Sequence, residues 1–224
     1  MNFIFMLTHH DKTVPNCLDV FDEIAGLGLA HVGFKDVGVD ADTLKALTRR
    51  IKAAGALAYV EVVSTTPDTI RRSIKAAAGL DVDRVLGGQD LTFALESFSS
   101  SKIGYHPFPG RPEGHPTRLG GSAADIERDC ERATAAGCPG VDLLAYRAIE
   151  ADPVDLIKAA RRGLGKEGYL IVAGSVSTPE RIKALGDEGA DAFTIGTAIF
   201  EERFAPGVKG VKGQCEAVLK VLGS

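Results

Sequence analysis

Two rhythms alternate along the chain. Short apolar runs recur between longer stretches in which apolar residues fall three and four apart. The first rhythm predicts buried strands and the second predicts amphipathic helices. Asn2 to Leu7 reads as a first strand, followed by polar Thr8-His9-His10-Asp11. Val14 to Leu27 carries Leu18, Phe21, Ile24 and Ala25 at helical spacing, and Gly28 stops it. His31 to Phe34 is a second strand ending in Lys35-Asp36. Asp40 or Asp42 then caps a helix with Leu44, Leu47, Ile51 and Ala54 on one face, closed by Gly55. Leu57 to Val63, which contains Glu61, is a third strand, and Thr66-Pro67-Asp68 opens the helix after it.

The same alternation continues to the end. Arg84 to Leu86, Ile103 to His106, Val141 to Ala145, Tyr169 to Ala173 and Ala192 to Ile195 read as strands. Helices are predicted over Leu91–Phe98, from Ser122 to Gly137, from Asp152-Pro153, from Thr178-Pro179, and at the end through Val208, Val211, Cys215, Val218 and Leu222. Ser122 and Asp125 loosely resemble a capping box. The stretch PFPGRPEGHPTRLGG after His106 has no periodicity, and loops of that length are usually functional. Eight strand–helix units in 224 residues predict an α/β fold, a (β/α)8 TIM barrel, as a single domain over residues 1–224. A doubly wound open sheet is the alternative. It predicts a glycine-rich turn after the first strand, where this chain has Thr8-His9-His10.

The last two units carry the clearest chemistry. Each strand ends in a glycine turn, Gly174-Ser175 and Gly196-Thr197, and a short helix is predicted from Ala198 to Glu202. Two neighbouring turns of this kind place bare amide groups side by side, and a helix start adds positive potential, which together suit a phosphate.

Composition narrows the functional classes. Apolar content of 45%, charged content of 25% and a net charge of −4 belong to a water-soluble globular chain with no basic stripe, so no nucleic-acid partner is expected. The apolar run at the start stops at Leu7, so neither a signal peptide nor a membrane span is expected, and the chain reads as cytoplasmic. Cys17, Cys130, Cys138 and Cys215 show no metal spacing and read as reduced thiols.

AGSV at 173–176 and IGTAIF at 195–200 resemble the phosphate-binding end of the ribulose-phosphate-binding barrels. That group includes ribulose-phosphate 3-epimerase, the phosphoribosyl isomerases of histidine and tryptophan biosynthesis, and indole-glycerol-phosphate synthase. The resemblance implies that Gly174, Ser175, Gly196 and Thr197 hold a phosphate. His31 to Asp36 is similar to the epimerase's second strand HxDxMD, but Gly33 stands where its first aspartate belongs. Of the DxKxxD pattern of the related decarboxylases only Lys35 matches, because Gly33 and Gly38 replace both aspartates. The chain therefore resembles the superfamily outside its best-known branches.

In such barrels reacting groups sit at the carboxyl ends of strands. Lys35 and Glu61 end adjacent strands and can both face inward as an acid–base pair, or Lys35 can form a Schiff base. The alternative for both is a structural ion pair at the rim. His106 ends strand five and is a candidate acid or base, or a loop-packing residue. Arg147 follows strand six as a clamp for a second anion, and Arg111, His115 and Arg118 lie in the long loop as cover for substrate. Asp36 is a further substrate-binding candidate that points away from Lys35. Asp142, Asp191 and His31 lie near strand starts and read as structural. His9 and His10 could join Glu61 and His106 on a metal, but no ligand spacing supports it, so no metal site and no cofactor are expected. The sequence-based expectation is thus an enzyme for a small phosphorylated sugar or related metabolite, an isomerase or epimerase, with a Schiff-base aldolase or lyase, or a non-catalytic phosphometabolite binder, as alternatives. Barrels of this size often pair, so a homo-oligomer is also within expectation.

Overall fold

Strands buried on both faces need cover on both faces, and a ring of parallel strands inside a ring of helices supplies it. The computed structural model describes residues 1–64, 66–114 and 116–223. Eight parallel strands follow the predicted units: β1 (Asn2–Met6), β2 (His31–Lys35), β3 (Leu57–Val62), β4 (Arg84–Gly87), β5 (Gly104–His106), β6 (Gly140–Leu143), β7 (Tyr169–Val172) and β8 (Ala192–Ile195). Pairing runs β6-β7-β8-β1-β2-β3-β4-β5. The seam between β5 and β6 is crossed by the Asp142 amide, which donates to the Pro107 carbonyl at 3.0 Å. The chain is a (β/α)8 barrel, not an open doubly wound sheet.

The helices are α1 (Cys17–Ile24), α2 (Ala41–Ala53), α3 (Pro67–Ala78), α4 (Leu91–Phe98), α5 (Ala123–Ala135), α6 (Pro153–Leu164), α7 (Pro179–Asp187), α8 (Thr197–Phe200) and α9 (Gly210–Leu222). Among the described residues no helix is long and apolar enough to cross a membrane. Several starts follow the sequence signals closely. Asp40 accepts from the Thr43 amide, Thr178 accepts from the Arg181 amide, and Ser122 and Asp125 form a reciprocal capping box.

Three segments differ from expectation. The first helix begins at Cys17, because Thr8–His9 and Lys12–Thr13 pair as a small hairpin and the Val14 amide is committed to the Leu7 carbonyl at 3.0 Å. The long aperiodic stretch contains a second hairpin, Arg111–Glu113 against Arg118–Gly120. Its strands are three residues each, too short to show a period, and Leu119 bridges onward to Ala148. The last helix begins at Gly210, and Val208 lies outside it.

Two apolar layers result. The larger one fills the space between strands and helices, with Phe5, Phe34, Val60, Val85, Leu143 and Phe193 from the outward faces of the strands. The smaller one fills the barrel itself with Ile4, Met6, Tyr59, Leu86, Ile171 and Ala192. Gly33 belongs to this interior. A Cβ there would run into the Met6 sulfur and come within 3.2 Å of the Tyr59 Cβ. Met6 and Tyr59 thus fill the space that a side chain at position 33 would need.

Candidate functional site

The carboxyl ends of the strands open into a cavity of about 710 Å³. Its floor is a charged cluster. Lys35 and Glu61 are register partners at the ends of β2 and β3, so alternation sends both side chains to the same face. The Lys35 Nζ lies 3.0 Å from a Glu61 oxygen and 3.0 Å from Asp11 Oδ1. Arg147 donates from Nη1 to Asp11 Oδ2 at 2.8 Å and from Nη2 to Oδ1 at 2.9 Å, a two-pronged pair. Lys35, Glu61 and Asp11 are each only 4% exposed, so the cluster is well shielded from bulk water.

The backbone holds this arrangement. Thr13 Oγ1 accepts from the Lys35 amide at 2.8 Å and donates to the Lys35 carbonyl at 2.7 Å, tying the first hairpin to the end of β2. His10 and Asp11 are both left-handed, at φ 48° and 58°. That conformation is uncommon outside glycine and carries a local cost, which the ion pairs of Asp11 offset. Burial pushes the Asp11 carboxyl up. The Arg147 hydrogen bonds and the Lys35 and Arg147 charges outweigh it and hold the group well below the usual carboxylate range.

Asp142, expected to be structural, adjoins this cluster. Its neighbours Val141 and Leu143 pack outward, so Asp142 faces the barrel interior, wholly buried, and neither carboxylate oxygen has a hydrogen-bond partner among the described residues. Burial raises its pKa well above the ordinary value and the Glu61 charge adds to that, against the opposing charges of Lys35 and Arg147. Asp142 is close to the start of β6, but its amide bonds to the carbonyl of Pro107, one residue past the end of β5. Strand stagger lifts it toward the mouth.

The same stagger moves His106 the other way. Glu61, Leu86 and His106 are successive register partners across β3, β4 and β5. In a tilted barrel such partners step along the axis. Glu61 lines the cavity, Leu86 sits in the interior core, and the His106 ring meets Tyr169, the first residue of β7, edge-on at 6.0 Å. His106 therefore lies below the cavity, not at it. Burial, with the Arg84 charge, lowers its pKa to about 3, and its Nδ1 has no hydrogen-bond partner among the described residues.

The cavity rim includes both glycine turns. Gly174 is at φ 75° and Ser175 at φ 59°. The amides of Ser175, Val176 and Ser177 donate to no acceptor among the described residues. Facing them, Gly196 precedes α8, where the Thr197 and Ala198 amides donate to no acceptor among the described residues, while those of Ile199 and Phe200 return to the Gly196 carbonyl. The Thr197 hydroxyl accepts from the His10 amide at 3.2 Å. A Cβ on Gly196 would meet Thr8 Oγ1 at 2.5 Å, so only glycine lets the two strand ends close up here. Arg118, Arg181 and Arg203 add cationic lining, and Arg181 lies over the Tyr146 ring at 4.6 Å.

The remaining candidates fall elsewhere. Asp36 turns away from the cavity and accepts from the Val63 amide at 3.3 Å. Its burial raises its pKa against hydrogen bonds from Ser73 and Val63. Arg111 pairs with both oxygens of Glu150, at 2.9 and 2.7 Å, and does not line the cavity. Arg147 does line it, with its guanidinium turned to Asp11. Asp191 braces the base of the barrel between Arg161 and the Leu170 amide, and His31 shares a hydrogen bond of 2.9 Å with the Tyr59 hydroxyl. His115 lies outside the described residues. His9 and His10 do not approach Glu61 or His106 as a metal group; they meet Glu201.

No family model matches the chain, and no curated protein matches it in sequence. Solved structures do match in fold. The chain is similar to orotidine 5'-phosphate decarboxylase from Pyrococcus horikoshii OT3, with a TM-score of 0.68 at 13% identity over 99% of each chain. It is similar to a structure described as native KDPGal, with a TM-score of 0.68 at 14% identity over 100% of this chain and 97% of that one. It is also similar to a putative deoxyribose-phosphate aldolase from Coccidioides immitis, with a TM-score of 0.65 at 11% identity over 89% and 81%. At these identities the likeness establishes the fold alone, a (β/α)8 barrel.

Proposed function

We propose that this chain is an enzyme acting on a small phosphorylated sugar or related metabolite, by proton transfer next to a carbonyl. The observation that carries this reading is the Lys35 ammonium held at 3.0 Å from both Asp11 and Glu61, on the floor of a cavity rimmed by the Gly174 and Gly196 turns. The fold neighbours named for phosphorylated substrates support the substrate class by analogy.

In this mechanism the amides after Gly174 and Gly196 bind the phosphate and fix the substrate's register. The Lys35 ammonium hydrogen-bonds the carbonyl oxygen, and the Glu61 carboxylate removes a proton from the adjacent carbon. The C–H electron pair forms a carbon–carbon double bond, and the carbonyl oxygen becomes an enolate stabilised by Lys35. Return of the proton to the former carbonyl carbon, as the adjacent hydroxyl passes its own proton to the enolate oxygen and becomes the new carbonyl, isomerises the sugar; protonation of the original carbon from the opposite face by solvent, with Glu61 later releasing its proton to solvent, epimerises it.

A Schiff-base aldolase or lyase through Lys35 is the rival. Attack on a carbonyl would require the ammonium to give up two ion pairs and a proton, which favours the acid–base role. Incubation with a panel of sugar phosphates in deuterium oxide, followed by mass spectrometry, tests the proposal. Deuterium incorporation that is lost in Glu61→Gln is expected. Borohydride reduction that leaves a covalent adduct on Lys35, without deuterium exchange, would overturn it in favour of the Schiff base.

A further inference from the structure

Beside the phosphate cradle, and outside the charged cluster, three side chains converge from opposite ends of the sequence. His9 Nε2 lies 3.2 Å from Glu201 Oε1, and His10 Nε2 lies 3.8 Å from the same oxygen. All three donor atoms fall within 4.8 Å of one another. We propose that His9, His10 and Glu201 form a binding site for a divalent transition-metal ion of the zinc class.

The geometry suits such an ion. Zinc bonds imidazole nitrogen and carboxylate oxygen at roughly 2.0–2.2 Å, so the edges of a tetrahedral ligand set measure about 3.3–3.6 Å. The two measured edges bracket that range. Two histidines and one glutamate are also a ligand set that leaves a fourth position open.

The backbone is shaped to produce this convergence. Neighbouring residues in a strand point to opposite faces. His10 escapes that rule because it is left-handed, at φ 48°, and its ring returns against that of His9 with centroids 3.8 Å apart. Phe200 backs the His9 ring at 6.3 Å. Arg203 Nε holds the other glutamate oxygen, Oε2, at 2.5 Å, which leaves Oε1 for the metal and fixes the carboxylate from behind. His10 lines the mouth cavity and its amide is bonded to Thr197, so an ion here has its free position beside the candidate phosphate site. The site stands on its own residues and does not depend on the reaction proposed above.

Cobalt is the probe, because its visible absorption reports coordination number. The tag-free, chelator-treated full chain is titrated with Co2+ and then with Zn2+. Expected are one equivalent of Co2+ with the intense visible band of a four- or five-coordinate site, displacement by Zn2+, and at least a ~10-fold weaker affinity in His9→Ala and in Glu201→Gln. His10 is exposed and His9 and Glu201 are partly exposed, so both variants should keep the wild-type circular dichroism and melting temperature. Failure to bind one equivalent, or an unchanged affinity in both folded variants, would overturn the site. Deuterium exchange on sugar phosphates that persists in the metal-free protein would leave the proposed reaction intact, whatever the outcome of the titration.

Discussion

Replacing Lys35 by Met keeps the length of the side chain and removes its charge, which isolates the electrostatics of the cavity floor. Asp11 keeps its two-pronged pair with Arg147, so the deficit falls on Glu61. That carboxylate is 4% exposed, loses its only ion-pair partner among the described residues, and stands beside Asp142. Removing one partner of a buried pair costs about 3–5 kcal/mol, and the neighbouring cavity admits water, which places this case at about 3. For a chain of this size each kcal/mol shifts the melting temperature by about 2–4 °C, so Lys35→Met should melt about 6–12 °C lower. The decisive measurement is a double-mutant cycle in urea. Glu61→Gln removes the stranded charge, and Lys35→Met/Glu61→Gln should recover at least half of the loss, with a coupling of about 1.5 kcal/mol or more. A single-variant loss below about 1 kcal/mol, or a double variant no better than the sum of the singles, would refute the picture of a shielded, mutually dependent pair.

The two other tests concern the rim and the lower barrel. Inorganic phosphate should raise the melting temperature of the wild-type chain, since a ligand bound only to the folded state stabilises it, and Gly196→Ala, which pushes a methyl to 2.5 Å from the Thr8 hydroxyl, should abolish that rise; a rise of equal size in the variant would remove the cradle assignment. His106 is buried neutral with its pKa lowered to about 3, below the 6.5 of an exposed histidine, so between those values the unfolded chain binds the extra proton and stability falls as pH falls. This one group should make the wild type about 2 kcal/mol less stable at pH 5 than at pH 8, and His106→Gln should remove that part of the difference in urea titrations; an unchanged pH slope would show that His106 is solvated.

What the sequence showed and hid follows from what is local. Strand and helix order depend on periodicity within each unit, and caps such as Asp40, Ser122 and Thr178 act over three residues, so both were legible. The inward pairing of Lys35 with Glu61 was legible because both end their strands and adjacent parallel strands stay in register. Height in the barrel was not, since it depends on the stagger accumulated around the ring. Distance from a strand's end misplaced two residues for that reason: His106 ends β5 yet lies below the cavity, and Asp142 follows the start of β6 yet adjoins Glu61. Asp11 was hidden differently. It lies in a polar turn whose left-handed backbone has no glycine to advertise it, and its partners Lys35 and Arg147 are 24 and 136 residues away. The place of Arg147 after strand six predicts an anion clamp, and the anion it clamps is the protein's own Asp11. The charged floor is therefore assembled by closure of the ring, from the turn after β1, the ends of β2 and β3, and the turn after β6. A substitution that slips the β5–β6 seam, where the Asp142 amide spans the gap, should disturb the cavity floor before it disturbs the Gly196 turn, which follows β8 where that strand pairs with β1.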